Sequence, residues 1–187
     1  MLKQQRAELE RAYDKIIAWF FAYPNKEFSL SDISNQLEIS KSAASKITTH
    51  LKEEDFLTVD VLGKIWRIKA NQDHGYFKSK KIPQNLMHIL ESNILKKIKE
   101  KYPNYRAIVL FGSYRKGEDL PQSDLDIAIE VLGNQKLEIE TLSIVKLGYR
   151  EKVNVNIHLF SRNNIDLNLF NSIANGIVLE GFLEVKP

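Results

Sequence analysis

Apolar residues in the first third of the chain recur at helical spacing. Residues 4–23 carry such a pattern, and it ends at Pro24, which predicts one amphipathic helix. A second helix begins after Ser29 or Ser31, since either side chain can serve as its N-cap. A third helix is predicted over residues 41–54, with apolar side chains on one face and small polar and basic side chains on the other.

Two strands follow the third helix. Residues 56–61 and 65–69 are rich in β-branched and aromatic side chains and flank a short turn, which predicts a hairpin. Three helices followed by a hairpin resemble a winged helix-turn-helix domain, here over residues 1–75. The segments that carry the resemblance are Asp32-Ile33 through Leu37, Ile39-Ser40-Lys41, and Leu51-Lys52-Glu53-Glu54-Asp55-Phe56-Leu57.

The winged-helix resemblance implies binding to double-stranded DNA. The third helix would enter the major groove, where its short side chains allow close approach, and the wing would contact phosphates. The candidate DNA-binding residues are Lys41, Ser42, Ser45, Lys46 and Thr49 on the third helix and Lys64, Arg67 and Lys69 on the wing. Residues 1–75 contain 11 basic and 11 acidic residues, so a protein-binding role is the alternative.

Residues 76–104 are predicted to form a basic linker and a helix. Apolar residues recur at helical spacing up to Tyr102, with Pro83 near the start, which predicts a single helix that covers the following sheet. The segment holds 7 basic and 2 acidic residues. Its lysines form either a nucleic-acid-facing surface or a solvated helix face. These lysines are Lys78, Lys80, Lys81, Lys96, Lys97, Lys99 and Lys101.

Residues 105–187 combine apolar strand-like runs with helical patterns, which predicts an α+β fold class. Strands are expected over residues 107–111, 125–131 and 153–160, helices over residues 135–149 and 165–175, and a short edge strand over residues 177–179.

Two polar motifs lie at the ends of the first two strands. Gly112-Ser113 follows the first strand, and Asp124 and Asp126 lie at the start of the second. Alternate residues of a strand share a face, so both carboxylates project the same way with their Cα atoms about 6.5 Å apart. Mg²⁺ is usually held by one or two carboxylates together with substrate phosphates. A glycine lets an anion approach the backbone closely, which makes Gly112-Ser113 a candidate phosphate site.

The chain resembles the minimal nucleotidyltransferase domains of the DNA polymerase β superfamily in two segments. They are Phe111-Gly112-Ser113-Tyr114-Arg115-Lys116-Gly117 and Ser123-Asp124-Leu125-Asp126. The resemblance extends loosely over residues 105–181 and implies a mixed sheet flanked by helices.

It also implies a set of site residues. Asp124 and Asp126 would be catalytic and would hold Mg²⁺, with room for two ions. A nucleoside triphosphate would bind at Gly112, Ser113, Arg115 and Lys116.

The family places a third acidic residue on a later strand, and this chain departs from that pattern. The strand at residues 153–160 offers Asn154, Asn156 and His158 on its polar face; Asn154 matches the position of the third acid best, and Asn156 second. A carboxamide can offer an oxygen to a metal, but it cannot take up a proton. His158 is a candidate to accept that proton, and otherwise a structural residue. Whether the domain is an enzyme therefore stays open.

The composition is that of a globular chain. Its 187 residues, 43% hydrophobic content and net charge of +3 fit two small domains. The absence of cysteine excludes disulfides and thiolate metal sites. The sequence has no signal-peptide core and no apolar run of the about 18–20 residues that a membrane span needs. We therefore expect a cytoplasmic location and no membrane partner.

The leading hypothesis is a DNA-binding winged-helix protein whose second domain binds a nucleoside triphosphate with Mg²⁺. The resemblance implies transfer of a nucleotidyl group to a protein or tRNA acceptor. One alternative is a transcriptional regulator that uses a catalytically impaired domain as a nucleotide sensor or dimerisation module, and another is the antitoxin of a toxin-antitoxin pair. Winged-helix regulators often dimerise, so a homodimer is expected.

Overall fold

The chain divides into two compact units, Met1–Phe77 and Lys78–Pro187. The structure is a computed structural model and describes residues 2–63 and 65–185. Residues 78–104, which the sequence assigned to a linker and a helix, belong to the second unit. In the described part of the chain, no helix combines the length and the apolar character needed to cross a membrane.

Three helices and a hairpin form the first unit. The helices are α1 (Leu2–Ala22), α2 (Leu30–Leu37) and α3 (Lys41–Glu53), and the antiparallel strands are β1 (Leu57–Leu62) and β2 (Ile65–Ala70). The predicted order of these elements is confirmed, whereas their assignment to the winged helix-turn-helix class stays a prediction.

Ser29 is the N-cap of α2. Its hydroxyl accepts the N–H of Asp32 at 3.1 Å, and the carboxylate of Asp32 accepts the N–H of Ser29 at 2.8 Å. This reciprocal pair is a capping box, and it selects Ser29 over Ser31. The helix then buries Ile33 and Leu37 on its apolar face.

A five-stranded mixed sheet forms the centre of the second unit. Its strands are β3 (Tyr105–Phe111), β4 (Leu125–Val131), β5 (Glu138–Leu147), β6 (Arg150–Phe160) and β7 (Ile177–Gly181). They are ordered β5-β6-β4-β3-β7, with β4 and β6 parallel and the other neighbours antiparallel. The helices are α4 (Phe77–Glu91), α5 (Ile94–Lys101), α6 (Gly112–Lys116) and α7 (Leu167–Ala174). The predicted α+β class with a mixed sheet and helices is therefore confirmed.

The alternation along β4 separates two cores. Leu125 and Ile127 lie in one core together with Ile98 of α5, as expected for a helix that covers the sheet. Ala128 lies in the other core together with Ile173 of α7. Side chains at alternate positions share a face, so the polar start of β4 lies on the α7 side of the sheet.

The predicted helix over residues 135–149 is wrong, because this segment forms β5, paired antiparallel with β6. The register shifts between Thr141 and Ser143 and again between Val145 and Leu147. At the first shift β5 has one residue more than β6, and at the second shift β6 has one residue more than β5. An extra residue reverses the phase of the alternation in the strand that carries it. The apolar residues consequently lost the strict period of two that identifies a strand.

The single helix predicted up to Tyr102 is also wrong. The helical segment begins at Phe77, well before Pro83, and it is divided into α4 and α5 at Ser92-Asn93. The hydroxyl of Ser92 donates to the carbonyl of Ile89 at 2.6 Å, and such local side-chain bonds compete with helix continuation.

The lysines of α4 and α5 do not form one uniform surface. Lys81 is buried, with 1% of its surface exposed, so it belongs to neither of the two predicted lysine surfaces. Lys78, Lys99 and Lys101 are each paired with a glutamate. The charge that these three lysines can offer to a nucleic acid is correspondingly reduced.

Candidate functional site

Two aspartates at the start of β4 define the candidate site. Asp124 immediately precedes the strand, and Asp126 is its second residue. Both are partly exposed, and both contact side chains of the neighbouring strand β6. The two carboxylates that the sequence singled out therefore lie together on one face of the sheet.

Gly112 brings the chain close to Asp126 at the end of β3. Phe111 pairs with Asp126 across the strands, and Gly112 then adopts a left-handed φ of 72° as α6 begins. A Cβ on Gly112 would lie 2.8 Å from Oδ2 of Asp126, so this approach requires glycine. Ser113 follows in the first turn of α6, which places its hydroxyl at the same end of the sheet.

The two asparagines of β6 both bind the carboxylate of Asp124. Nδ2 of Asn154 donates to Oδ1 at 3.0 Å, and Nδ2 of Asn156 donates to Oδ2 at 3.1 Å. The hydroxyl of Thr141 on β5 donates to Oδ1 of Asn156 at 3.0 Å, which fixes that amide's orientation. The amide of Asn154 has no such second bond among the described residues, so it can turn its oxygen toward a cation more readily.

His158 contacts the other carboxylate. Its Nε2 lies 3.3 Å from Oδ1 of Asp126, and its ring packs edge-on against Phe111 with the centroids 4.8 Å apart. A proton on Nε2 makes the contact with Asp126 a hydrogen bond. Nδ1 is buried and finds no hydrogen-bond partner in the described part of the chain. The geometry therefore suits His158 for orienting Asp126 better than for exchanging protons with a substrate.

Arg115 and Lys116 line a pocket next to Gly112. The pocket has a volume of about 470 Å³, and polar residues of α7 line it as well. These α7 residues are Asn171, Ser172 and Asn175. Because β3 and β6 flank β4 on opposite sides, α6 with Arg115 and Lys116 follows the strand on one side of the aspartates, and the asparagines of β6 lie on the other.

The donor set at this face suits Mg²⁺ that arrives with phosphates. Asp124 and Asp126 supply carboxylate oxygens, Asn154 can supply a carboxamide oxygen, and phosphates usually complete such a shell. Among residues 2–63 and 65–185, no group of three or more His, Asp or Glu side chains is arranged to hold a metal ion. The three donors Asp124, Asp126 and Asn154 amount to part of the octahedral shell of Mg²⁺.

The segment between the two motifs is held by a buried ionic cluster that sequence reasoning missed. Asp119 is fully buried, and its carboxylate accepts Nδ2 of Asn85 at 2.7 Å and lies 3.1 Å from Nζ of Lys81. The guanidinium of Arg150 forms an ion pair with the same carboxylate. Both cations are themselves buried, so the cluster is shielded from solvent.

Burial shifts two pKa values in this cluster. It lowers the pKa of Lys81 to about 8, against the opposing attraction of Asp119. It raises the pKa of Tyr114 to about 12, although Arg150 favours the ionised phenol. The one signal for the cluster in the sequence was the helical spacing of Lys81 and Asn85 on α4.

The predicted DNA-binding residues of the first unit have different environments. Lys41, Ser42, Lys46 and Thr49 are exposed on α3, and Ser45 is half-buried. On the wing, Arg67 forms an ion pair with Glu27, and Lys69 is half-buried. Lys64 lies outside the described residues. Among the predicted DNA-binding residues that the structure describes, the exposed lysines are Lys41 and Lys46 of α3.

Comparison with known proteins bears on the second unit. Residues 91–177 match the family model described as Nucleotidyltransferase domain. The matched stretch includes Gly112-Ser113, both aspartates and the polar face of β6, and it confirms the resemblance for this part of the chain. No curated protein matches. The match does not extend to residues 1–90, for which the winged-helix assignment stays a prediction.

Proposed function

We propose that the second unit binds a nucleoside triphosphate together with Mg²⁺ at the face that carries Asp124 and Asp126. The observation that carries this proposal is the approach of Gly112 to Asp126: Gly112 has a left-handed φ of 72°, and a Cβ there would lie 2.8 Å from Oδ2 of Asp126. A phosphate bound at this backbone would repel the carboxylate unless a cation lay between them. The arrangement therefore fits a metal-bound phosphate better than a free anion.

Different side chains would bind the metal and the phosphates. Asp124 and Asp126 would hold Mg²⁺, one ion or two, with Asn154 as a further oxygen ligand. Hydrogen bonds from the β6 asparagines hold Asp124, and His158 holds Asp126. Bound Mg²⁺ would neutralise charge on the phosphates. The phosphates would contact Gly112, Ser113, Arg115 and Lys116.

The reaction that this geometry supports best is nucleotidyl transfer to a hydroxyl of a protein or RNA acceptor. The hydroxyl oxygen attacks the α-phosphorus, a new P–O bond forms, and the bond to pyrophosphate breaks. Neither amide of β6 can accept the hydroxyl proton, and Nδ1 of His158 is buried. The proton would therefore pass to a carboxylate of the Asp124–Asp126 pair or to water.

Isothermal titration with ATP, GTP, CTP and UTP in MgCl₂ tests the binding proposal. We expect saturable binding of at least one nucleotide that disappears in EDTA and in Asp126→Asn. Asp60→Asn is the matched control, because Asp60 is an exposed carboxylate on β1. No binding of any nucleotide by the natural chain, or equal binding by Asp126→Asn, would overturn the proposal.

We further propose that the first unit binds double-stranded DNA through α3. The exposed Lys41 and Lys46 support this role, since phosphate contacts by basic side chains supply most non-specific affinity. Fluorescence anisotropy with labelled duplex DNA at several salt concentrations tests it. We expect the Lys41→Ala/Lys46→Ala double variant to bind more weakly and with a smaller salt dependence. An unchanged affinity would instead favour a protein-binding role.

A second candidate function is that of a regulator whose nucleotidyltransferase domain senses nucleotides without transferring them. The observation in its favour is that the third acid is replaced by asparagines already bonded to Asp124. An α-labelled triphosphate separates the two functions. Label transferred to candidate protein or tRNA acceptors, and lost in Asp126→Asn, supports the enzyme. Nucleotide and DNA binding without transfer supports the regulator or an antitoxin.

A further inference from the structure

We propose that Asp119, Lys81 and Arg150 form an ionic clamp that positions the segment between Ser113 and Asp124 in the nucleotide site. The inference rests on the proposed function of that site. Asp119 would be a positioning residue, because it would act on bound nucleotide only through the motifs at the two ends of its segment.

One side of the clamp is the surface of α4. Lys78, Lys81 and Asn85 are spaced so that they share one face of this helix. A Cβ on Gly117 would lie 2.6 Å from the carbonyl oxygen of Lys78, so the segment lies directly against the helix backbone. Nζ of Lys81 donates to the carbonyl of Asp119 at 2.5 Å. Both the backbone and the side chain of Asp119 are therefore fixed to α4.

The other side of the clamp is the start of β6. Arg150 is the first residue of this strand, and its guanidinium forms an ion pair with Asp119. The same guanidinium donates to the hydroxyl of Tyr114 at 2.7 Å and lies over its ring, 5.2 Å from the centroid. Because Tyr114 belongs to α6 and β6 carries the asparagines that bind Asp124, the clamp joins the elements that form the site.

The composition of the segment explains why an ionic clamp holds it. Between Gly117 and Ser123 the chain offers Leu120 and Pro121 as its apolar residues, and both are only half-buried. Asp119, in contrast, has none of its surface exposed. Buried charges are tolerated when their partners are well placed, and such partners restrict the segment to one arrangement.

Two variants and a control test the clamp in the full chain. Lys81→Met removes one cation and leaves the Asp119–Arg150 pair, so the remaining buried charges stay balanced. Asp119→Asn removes the shared anion and leaves both cations. Ile98→Ala is the control, because it opens a cavity in the core on the α5 side of the sheet and removes no member of the clamp. Amide hydrogen exchange and the affinity for ATP with MgCl₂ are measured at a temperature where all variants are folded.

We expect both clamp variants to speed exchange in residues 113–124 and to weaken ATP binding about tenfold, as small misplacements of binding groups do. Ile98→Ala should leave exchange in this segment and the affinity for ATP unchanged. Unchanged exchange in both clamp variants, or an equal loss of affinity in Ile98→Ala, would overturn the clamp. If the natural chain binds no nucleotide, the proposed function fails, and the exchange data still decide whether the clamp holds the segment.

Discussion

The carboxylate of Asp124 accepts one hydrogen bond from each asparagine of β6, so its oxygens have partners without a metal. Asn154→Asp would replace one donor by a second carboxylate. We expect the variant's free energy of unfolding in EDTA to fall by about 1–3 kcal/mol, because a hydrogen bond is lost and two like charges meet. Mg²⁺ should restore stability, since it relieves the repulsion. Thermal unfolding in EDTA and in MgCl₂ measures both effects.

Asn104→Asp serves as the control for this substitution, because Asn104 is exposed and lies outside the strands. It should change stability little and give no added response to Mg²⁺. If Asn154→Asp is as stable as the natural chain in EDTA, or gains nothing from Mg²⁺, Asn154 does not occupy the third metal-ligand position.

Lys81 gives stability a defined pH dependence. Burial lowers its pKa to about 8, whereas a lysine in an unfolded chain titrates near 10.4. Between these values the unfolded chain binds one proton more than the folded chain, so the Lys81 contribution makes the free energy of unfolding rise with pH. Below about pH 8 both states are protonated at Lys81, and the cost of burying its charge is fully present.

In the Lys81→Met variant, this rise of the unfolding free energy with pH should be absent. We expect the natural chain to gain about 2–3 kcal/mol of stability relative to the variant between pH 8 and pH 10, as measured by urea unfolding. The range stops at pH 10 because the pKa of Tyr114 is raised to about 12. Above pH 10 the contribution of Tyr114 makes the free energy of unfolding fall with pH. A stability difference that stays constant across the range would show that Lys81 is not titrating in the folded state.

Among the elements, α2 depends on its capping box. Ser29→Ala removes the hydroxyl that accepts the N–H of Asp32, and loss of such a cap costs about 1 kcal/mol. We expect this reduction in the unfolding free energy of the first unit, measured by chemical denaturation. Ser31→Ala is the matched control, since Ser31 is exposed and lies inside α2. Equal effects of the two substitutions would contradict the assignment of Ser29 as N-cap.

The elements also differ in how far local sequence determines them. The helices α1 to α3 and the strands β3, β4 and β6 follow their own apolar periods, and all were predicted correctly. β5 was not, because an extra residue between Thr141 and Ser143 interrupts its alternation, and bulges depend on pairing with another strand. The division between α4 and α5 was missed for a related reason, since it depends on one local bond of Ser92.

The site residues also differ in whether neighbouring sequence could predict them. Gly112, Asp124 and Asp126 lie within one short stretch of chain, and Asn154 and His158 follow from the alternation of one strand, so the sequence indicated all of them. The clamp was invisible because Asp119 is 38 residues from Lys81 and 31 from Arg150. Contacts between residues so far apart in the sequence are set by the tertiary fold, so no local pattern predicts them.

At the scale of the whole molecule, the groups proposed for the two functions lie in separate units. The exposed lysines of α3 belong to Met1–Phe77, whereas the aspartates of β4 belong to Lys78–Pro187. Each unit has its own buried apolar residues, such as Phe20 in the first and Ile157 in the second. The proposed activities are therefore expected to be separable.

A cut between Phe77 and Lys78 tests that separation. The ring of Phe77 lies 5.2 Å from that of Phe21 and 5.4 Å from that of Phe56, so fragment 1–77 retains its aromatic cluster. Fragment 78–187 retains the aspartates, the amides of β6 and the clamp. We expect fragment 78–187 to unfold cooperatively and to bind ATP with MgCl₂ within about threefold of the full chain, because a unit with its own core can fold alone and this one holds all the groups of the proposed site. Fragment 1–77 should bind duplex DNA and no nucleotide.

Circular dichroism measures the folding of each fragment, isothermal titration its nucleotide binding, and fluorescence anisotropy its DNA binding. A folded fragment 78–187 that has lost nucleotide binding would show that the first unit contributes to the site.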